Sequence, residues 1–127
     1  MLNVKRKKKL NLVILGLILM IVGFVIHSYL AEVLEVFPNA GISFGLSCSF
    51  LVCVAFLALL VMMILFWKRE NFGLMVIIAG GLINFIDRII FGYVRDYWNF
   101  GFFYNNLADW IIVFGVLCSM ATLWKKK

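Results

Sequence analysis

Four long apolar segments organise the chain. They cover about residues 10–30, 45–67, 72–92 and 107–124 and hold few charged side chains. A lipid core about 30 Å thick is crossed by about 20 apolar residues in a helix. Helices also satisfy their own backbone polar groups in lipid, which open strands cannot do. The pattern therefore predicts an all-α integral membrane protein, a four-transmembrane-helix bundle that forms a single membrane domain over residues 1–127.

Composition supports a membrane protein and argues against a soluble one. The chain has 127 residues, of which 65% are hydrophobic and 14% charged. A soluble domain of this size has too much surface for its volume to hide so many apolar side chains. The first segment follows a basic start, but its apolar run is longer than that of a typical signal peptide and no small-x-small cleavage site follows it. We expect it to be a retained membrane helix.

The basic residues predict the orientation. Ten of the 12 Lys and Arg lie at 5–9, 68–69 and 125–127, which flank segment ends on one side of a four-helix hairpin. The positive-inside rule therefore predicts that both termini are cytoplasmic. The loops 31–44 and 93–106 would then face outward. We expect the basic groups to contact membrane lipid headgroups and expect no nucleic-acid partner.

Two aspartates interrupt the apolar segments at matching depth. Asp87 lies fifteen residues after Phe72, which is roughly 23 Å along a helix. Asp109 stands two residues into the fourth segment, which enters from the opposite side. Both carboxyl groups are thus predicted near the outer surface. Gly80 lies on the same side of the third segment, and a small residue there allows another helix to come close.

Amide and guanidinium side chains accompany both acids. Asn84, Asp87 and Arg88 are spaced i, i+3 and i+4, so they share one helix face. Asn106 and Asp109 are three residues apart and are expected to share a face of the fourth helix. If the two faces meet, the carboxyl groups converge in one pocket. A purely structural interpretation, in which Asp87 and Arg88 pair to fix helix register, stays open, although ionisable residues inside a membrane usually mark function.

Two adjacent carboxyl groups favour one kind of chemistry. They share a single proton, because both cannot ionise comfortably side by side. The ionised group can take a proton from water while the protonated group donates to a carbonyl oxygen. This is the pattern of aspartic peptidases.

The remaining reactive side chains indicate no other chemistry. His27 is the only histidine and has no obvious Ser or Cys partner, so we expect it to be packed or interfacial rather than catalytic. Cys48, Cys53 and Cys118 lie within apolar segments and are expected to pack between helices rather than form disulfides. No ligand spacing suggests a metal site, and we expect no cofactor.

Three motifs resemble a known family. "AGGLINFIDRIIFGYVRDY" resembles the "GGxxGNxxDR…GxVxD" signature of lipoprotein signal peptidase, also called signal peptidase II. "NNLADW" resembles its "FNxAD" signature, and "NAGISFGL" resembles its "NxGxxFS/G" motif. The resemblance implies a membrane-embedded aspartic endopeptidase in the bacterial cytoplasmic membrane. It also implies a lipid-modified prolipoprotein substrate, cleaved before a diacylglyceryl-modified cysteine.

The same resemblance implies roles for individual residues. Asp87 and Asp109 would be the catalytic pair. Asp96 matches the aspartate of the "GxVxD" element, and we expect it to organise the outer loop rather than to catalyse. The implied substrate-binding residues are Asn39, Gly41, Asn84, Arg88, Asn106 and Ala108.

The outer loops differ from the family pattern. The loop over residues 31–38 is short, so the small extracytoplasmic β-structure that the family builds there is expected to be abbreviated or missing. The second loop, 93–106, is rich in aromatic residues. It is typical of an interfacial aromatic belt, and it also suits a lid over a substrate.

Two other functions stay open at this point. A small proton-coupled transporter also uses intramembrane acids, but usually near the midplane. A non-catalytic membrane scaffold would tolerate replacement of both aspartates.

Overall fold

Four helices form the body of the protein. The computed structural model describes residues 3–39 and 48–127. The helices are α1 (Val4–Val33), α2 (Cys48–Arg69), α3 (Phe72–Phe91) and α4 (Leu107–Lys125). Each contains a span that is long and apolar enough to cross a membrane. The predicted four-helix membrane class is therefore confirmed, while the orientation of the termini stays a prediction.

Local signals set the helix ends. The Asn3 side chain caps α1 by accepting a hydrogen bond of 3.2 Å from the Lys5 amide, and the Lys and Arg residues that follow are good helix formers. The helix therefore begins at Val4, before the apolar segment itself. At the other end of the bundle, α3 stops at Gly92, whose φ of 78° is the left-handed conformation that favours glycine. This turn sends the chain back over α3.

The third helix is the centre of the bundle and packs closely on α4. It contacts each of the other three helices and is the most buried of the four. A Cβ atom on Gly80 would lie only 2.8 Å from the Ala108 carbonyl oxygen, and one on Gly115 would lie 2.7 Å from the Ile77 nitrogen. The close approach that was predicted at Gly80 is confirmed.

Enlarging Gly80 should separate these two helices. We expect Gly80→Leu to lower the free energy of unfolding by about 1–3 kcal/mol or more, because the added side chain meets the backbone of α4. Thermal unfolding in detergent, followed by circular dichroism, measures the effect. Ala121→Leu, on an exposed face of α4, is the matched control. An equal melting temperature for both variants would contradict the packing described here.

Short strands cover one end of the bundle, where α1 and α3 end and α4 begins. They are β1 (Phe37–Asn39), β2 (Val94–Asp96), β3 (Trp98–Asn99) and β4 (Tyr104–Asn105). β1 pairs antiparallel with β2, so that Phe37 lies opposite Asp96, and β3 pairs antiparallel with β4. Phe37 stacks on Tyr104 with a ring distance of 4.5 Å, which joins the two pairs. A small β-structure is thus present here rather than missing, and β2 runs beside the first residues of α4.

Candidate active site

A capping box opens α4. The Asn106 side chain accepts a hydrogen bond of 3.2 Å from the Asp109 amide, and the Asn106 amide donates one of 3.1 Å to Asp109 Oδ2. The two residues were predicted to share a helix face. Instead Asn106 precedes the helix with extended backbone, and the pair is joined by these reciprocal bonds.

The amide group of Asn106 connects this cap to two other elements. Its Nδ2 donates to Asp96 Oδ1 on β2 at 2.7 Å and to Asn84 Oδ1 on α3 at 3.1 Å. Asn84 Nδ2 in turn donates to Asp109 Oδ1 at 2.9 Å. Asp96 and Asp109 are therefore both hydrogen-bonded to Asn106, and they are close enough for their charges to interact. We call these four residues (Asn84, Asp96, Asn106 and Asp109) the Asp96–Asp109 cluster.

The cluster is largely dry. Asn106 is fully buried, Asp96 is 1% exposed and Asn84 is 9% exposed, whereas Asp109 is half-buried. Every hydrogen-bond partner of the two carboxyl groups described so far is a neutral amide. No cation is among these hydrogen-bond partners, and the Arg88 guanidinium acts on Asp109 only through its charge.

Asp87 occupies a different environment. It is fully buried and bound by Arg95, whose Nη2 lies 2.8 Å from Asp87 Oδ1 and whose backbone amide donates to Oδ2 at 3.0 Å. His27 Nε2 lies 2.8 Å from the same Oδ2. Within residues 3–39 and 48–127, no hydrogen bond joins Asp87 to Asp109. The pairing of Asp87 with Asp109 as two catalytic acids stays a prediction.

The strand period explains this difference. Successive side chains on a strand point to opposite faces. On β2, Arg95 turns towards α3 and pairs with Asp87, so the next residue, Asp96, turns towards Asn106 and the cap of α4. The acid that shares Asn106 with Asp109 thus comes from the outer loop rather than from the third helix. Asp96 was expected only to organise this loop.

Three other residues of the predicted site differ in where they lie relative to the cluster. Asn39 on β1 donates a hydrogen bond of 3.1 Å to Asp96 Oδ2, which places it beside the cluster. Ala108 is fully buried where α4 approaches Gly80. Gly41 lies outside the described residues. The predicted substrate-binding role of each stays a prediction.

A cavity of about 240 Å³ lies between α2, α3 and α4 and reaches the cluster at Asn84. Arg88, the remaining residue of the predicted site, lies in its wall. Most of the wall is apolar, and three of its residues are small. The lining residues are Ala55, Ala58, Leu59, Met62, Ile77, Gly81, Asn84, Arg88 and Ile112.

The sequence did not predict a buried contact between His27 and Tyr97, which lies beside the cluster. His27 is fully buried, as expected of a packed histidine, and its Nδ1 lies 3.1 Å from the Tyr97 hydroxyl. The same hydroxyl accepts a hydrogen bond of 3.0 Å from the Leu107 amide. Tyr97 had been counted with the aromatic loop, yet it is only 5% exposed. No local pattern indicates a contact between residues seventy positions apart in the chain.

The helices and the cluster together define a class of protein: a multi-pass membrane protein in which two acids share a buried asparagine at one end of the bundle. A family model described as signal peptidase (SPase) II matches residues 25–125. The chain belongs to this family.

Individual relatives agree with this assignment. The chain is 40% identical over 95 residues to the lipoprotein signal peptidase of Streptococcus agalactiae serotype Ia, covering 66% of this chain and 56% of the relative. It is 32% identical over 98 residues to that of Halothermothrix orenii, covering 70% and 68%. It thus spans a little over half the length of the streptococcal relative.

The fold also resembles solved structures. A bacterial membrane enzyme determined by the in meso method at 1.9 Å resolution superposes with a TM-score of 0.74 at 18% identity. The match covers 88% of this chain and 94% of the other. This likeness supports the four-helix fold.

Proposed function

We propose that the protein is a membrane-embedded aspartic endopeptidase that cleaves lipid-modified prolipoproteins, with Asp96 and Asp109 as its catalytic pair. Membership of the signal peptidase II family supports the reaction class. The observation that carries the choice of residues is that both carboxyl groups bind Asn106. Strand β2 and helix α4 thus bring two acids together in a largely dry site.

Asp96 is a better partner for Asp109 than Asp87 is. Both oxygens of Asp87 accept hydrogen bonds from Arg95, so this carboxylate already balances a buried guanidinium. A carboxylate held in that way is poorly suited to exchange a proton during a reaction. Asp96 is bound by the amides of Asn39 and Asn106 instead. The sequence-based prediction of Asp87 as a catalytic residue therefore gives way to Asp96 in this proposal.

The reaction follows from a pair that holds one proton. The ionised carboxyl group takes a proton from a water molecule as the water oxygen attacks the scissile carbonyl carbon. The other carboxyl group donates its proton to the carbonyl oxygen, which yields a tetrahedral diol. The diol then collapses: the C–N bond breaks, the leaving nitrogen receives a proton from the pair, and a diol hydroxyl returns one. The pair is left with a single proton, ready for another cycle.

The neighbouring groups suit a lipid-anchored peptide substrate. The cavity beside Asn84 has mostly apolar walls, which suit an apolar side chain of a peptide substrate. A signal-peptide helix and a diacylglyceryl group would both remain in the bilayer, so the search for the site is confined to two dimensions. This confinement removes part of the entropic cost of bringing the scissile bond to the pair.

Cleavage of a defined substrate tests the proposal. Purified protein in liposomes is expected to cut a prolipoprotein that carries a diacylglyceryl-modified cysteine, and mass spectrometry should find that the mature product begins at this cysteine. The same precursor without the lipid is the control and should be cut far more slowly. If neither precursor is cut, the proposed activity is wrong.

The same liposomes test the transporter that was considered as an alternative. Proton flux that depends on Asp109, in the absence of proteolysis, would favour a transporter. The position of the Asp96–Asp109 cluster argues for the peptidase, because Asp109 lies in the first turn of α4 rather than at the middle of a span.

A further inference from the structure

A chain of hydrogen bonds, two of them buried, connects Asp87 on α3 through α1 to the first residue of α4, beside the cluster. Asp87 Oδ2 contacts His27 Nε2 at 2.8 Å, His27 Nδ1 contacts the Tyr97 hydroxyl at 3.1 Å, and the hydroxyl contacts the Leu107 amide at 3.0 Å. We call this chain the His27–Tyr97 link. It joins residues from three helices and the outer loop, and the reaction proposed above does not use it.

The hydrogen of each bond in this link is assigned from its partners. The Leu107 amide is a donor only, so the Tyr97 oxygen accepts from it. The proton of the Tyr97 hydroxyl is then available to donate to His27 Nδ1. Burial raises the pKa of Tyr97 to about 12, so the hydroxyl keeps this proton at neutral pH.

The direction of the hydrogen bond from Tyr97 to His27 determines which ring nitrogen of His27 carries a proton. A nitrogen that accepts from Tyr97 carries no proton, so the ring proton is on Nε2, which donates to the Asp87 carboxylate. Arg95 already supplies a positive charge to Asp87, so a second cation is not needed there. A doubly protonated imidazole would instead direct an N–H at the Tyr97 oxygen, and the hydroxyl proton would have no acceptor among the contacts of the described residues.

The link bears on the geometry of the two acids. Tyr97 directly follows Asp96 in the chain, and its amide also donates to the Asn105 carbonyl at 3.2 Å. Its hydroxyl binds the first residue of the helix that carries Asp109. We propose that His27, as the neutral tautomer protonated on Nε2, is a positioning residue that orients the Tyr97 hydroxyl and thereby holds Asp96 in place relative to Asp109. The catalytic part of this proposal rests on the proposed peptidase function.

Nitrogen NMR tests the tautomer without any reference to activity. His27 is the only histidine in the sequence, so ¹⁵N-labelled histidine gives the signals of one imidazole. At pH 7 we expect a neutral ring with a proton on Nε2 and none on Nδ1. Tyr97→Phe should shift the Nδ1 resonance towards that of a nitrogen without a hydrogen bond. Tyr104→Phe, a half-exposed tyrosine of the same loop, should leave the resonance unchanged.

Three NMR results would overturn the proposal. They are a doubly protonated ring, a proton on Nδ1, or an Nδ1 resonance that does not respond to Tyr97→Phe. Each of these is read from the folded protein, so each holds whether or not the chain cleaves a prolipoprotein.

Kinetics test the positioning role. Tyr97→Phe removes one oxygen and keeps the ring, and we expect kcat to fall by up to about 10²-fold with little change in KM, because the acids are displaced rather than lost. His27→Gln should have a similar effect. The double variant should be no slower than the slower single variant, since both changes break one link. Additive losses, or a change in KM alone, would contradict the proposal.

Failure of this link is distinguishable from failure of the peptidase. If Asp96→Asn and Asp109→Asn are inactive while Tyr97→Phe turns over like the wild type, only the positioning role is wrong. If both aspartate variants stay fully active, the proposed catalytic pair is wrong. Should His27→Gln fail to fold, Tyr97→Phe still decides, because it leaves the carbon packing of the ring intact.

Discussion

Asp96→Asn and Asp109→Asn are each expected to lower kcat for prolipoprotein cleavage by about 10² to 10⁴-fold, the usual contribution of an acid–base group. Asparagine has nearly the same shape as aspartate and keeps one acceptor oxygen for the amides of the cluster. It cannot, however, accept or release the shared proton. The loss should therefore appear in kcat at saturating substrate, while the melting temperature stays near that of the wild type.

Two comparisons sharpen this prediction. Glu35→Gln removes a carboxylate from an exposed position and should leave cleavage unchanged. The double variant of Asp96 and Asp109 should be about as inactive as either single variant, because groups that act as one unit are strongly non-additive. Wild-type turnover by Asp96→Asn would remove Asp96 from the mechanism.

Asp87→Ala is expected to reduce the free energy of unfolding by about 3–5 kcal/mol, the typical cost of leaving a buried charge without its partner. The change removes the carboxylate that binds Arg95 through two side-chain nitrogens and a backbone amide. The Arg95 side chain is only 12% exposed, so water replaces this partner poorly. Denaturant unfolding of the detergent-solubilised protein measures the loss.

Glu70→Ala is the control for this second prediction. Its ion pair with Lys9 is 3.4 Å long and more exposed, so its removal should cost less than about 1 kcal/mol. Adding Arg95→Met to Asp87→Ala should recover part of the lost stability, because no unpaired charge then remains. If Asp87→Asn instead keeps wild-type stability and abolishes cleavage, Asp87 is a catalytic residue, as the sequence motif implied.

Much of the architecture could be predicted before any coordinates. Lipid imposes a length and an apolar composition on every helix that crosses it, so four such segments indicate four helices. The absence of a Cβ at Gly80 correctly predicted where two helices touch. The closeness of Asn106 and Asp109 was also foreseeable, although the reason is a capping box rather than a shared helix face.

The choice of acids could not be predicted in the same way. Asp87 and Asp96 lie nine positions apart in the sequence. Sequence spacing alone does not decide which of them meets Asp109 in the folded chain. Their difference depends on a left-handed turn at Gly92 and on the alternation of side chains along β2, which gives Arg95 to Asp87 and leaves Asp96 for Asn106. The buried position of Tyr97 could not be predicted for a related reason. It belongs to a loop of exposed aromatic residues, such as the 87% exposed Phe102, but its own ring is buried.

The number of membrane spans and the class of the fold depend on the lipid bilayer. The order of apolar and polar residues therefore predicted both. The partners of each buried acid were not, because they come from helices and strands that meet only after the chain has folded. A hydrogen bond acts over about 3 Å, so the partner of Asn106 on β2 depends on which strand residue faces it. The family signature indicated which residues gather at this end of the bundle, and the packing of β2 against α3 and α4 selected which two carboxyl groups share Asn106.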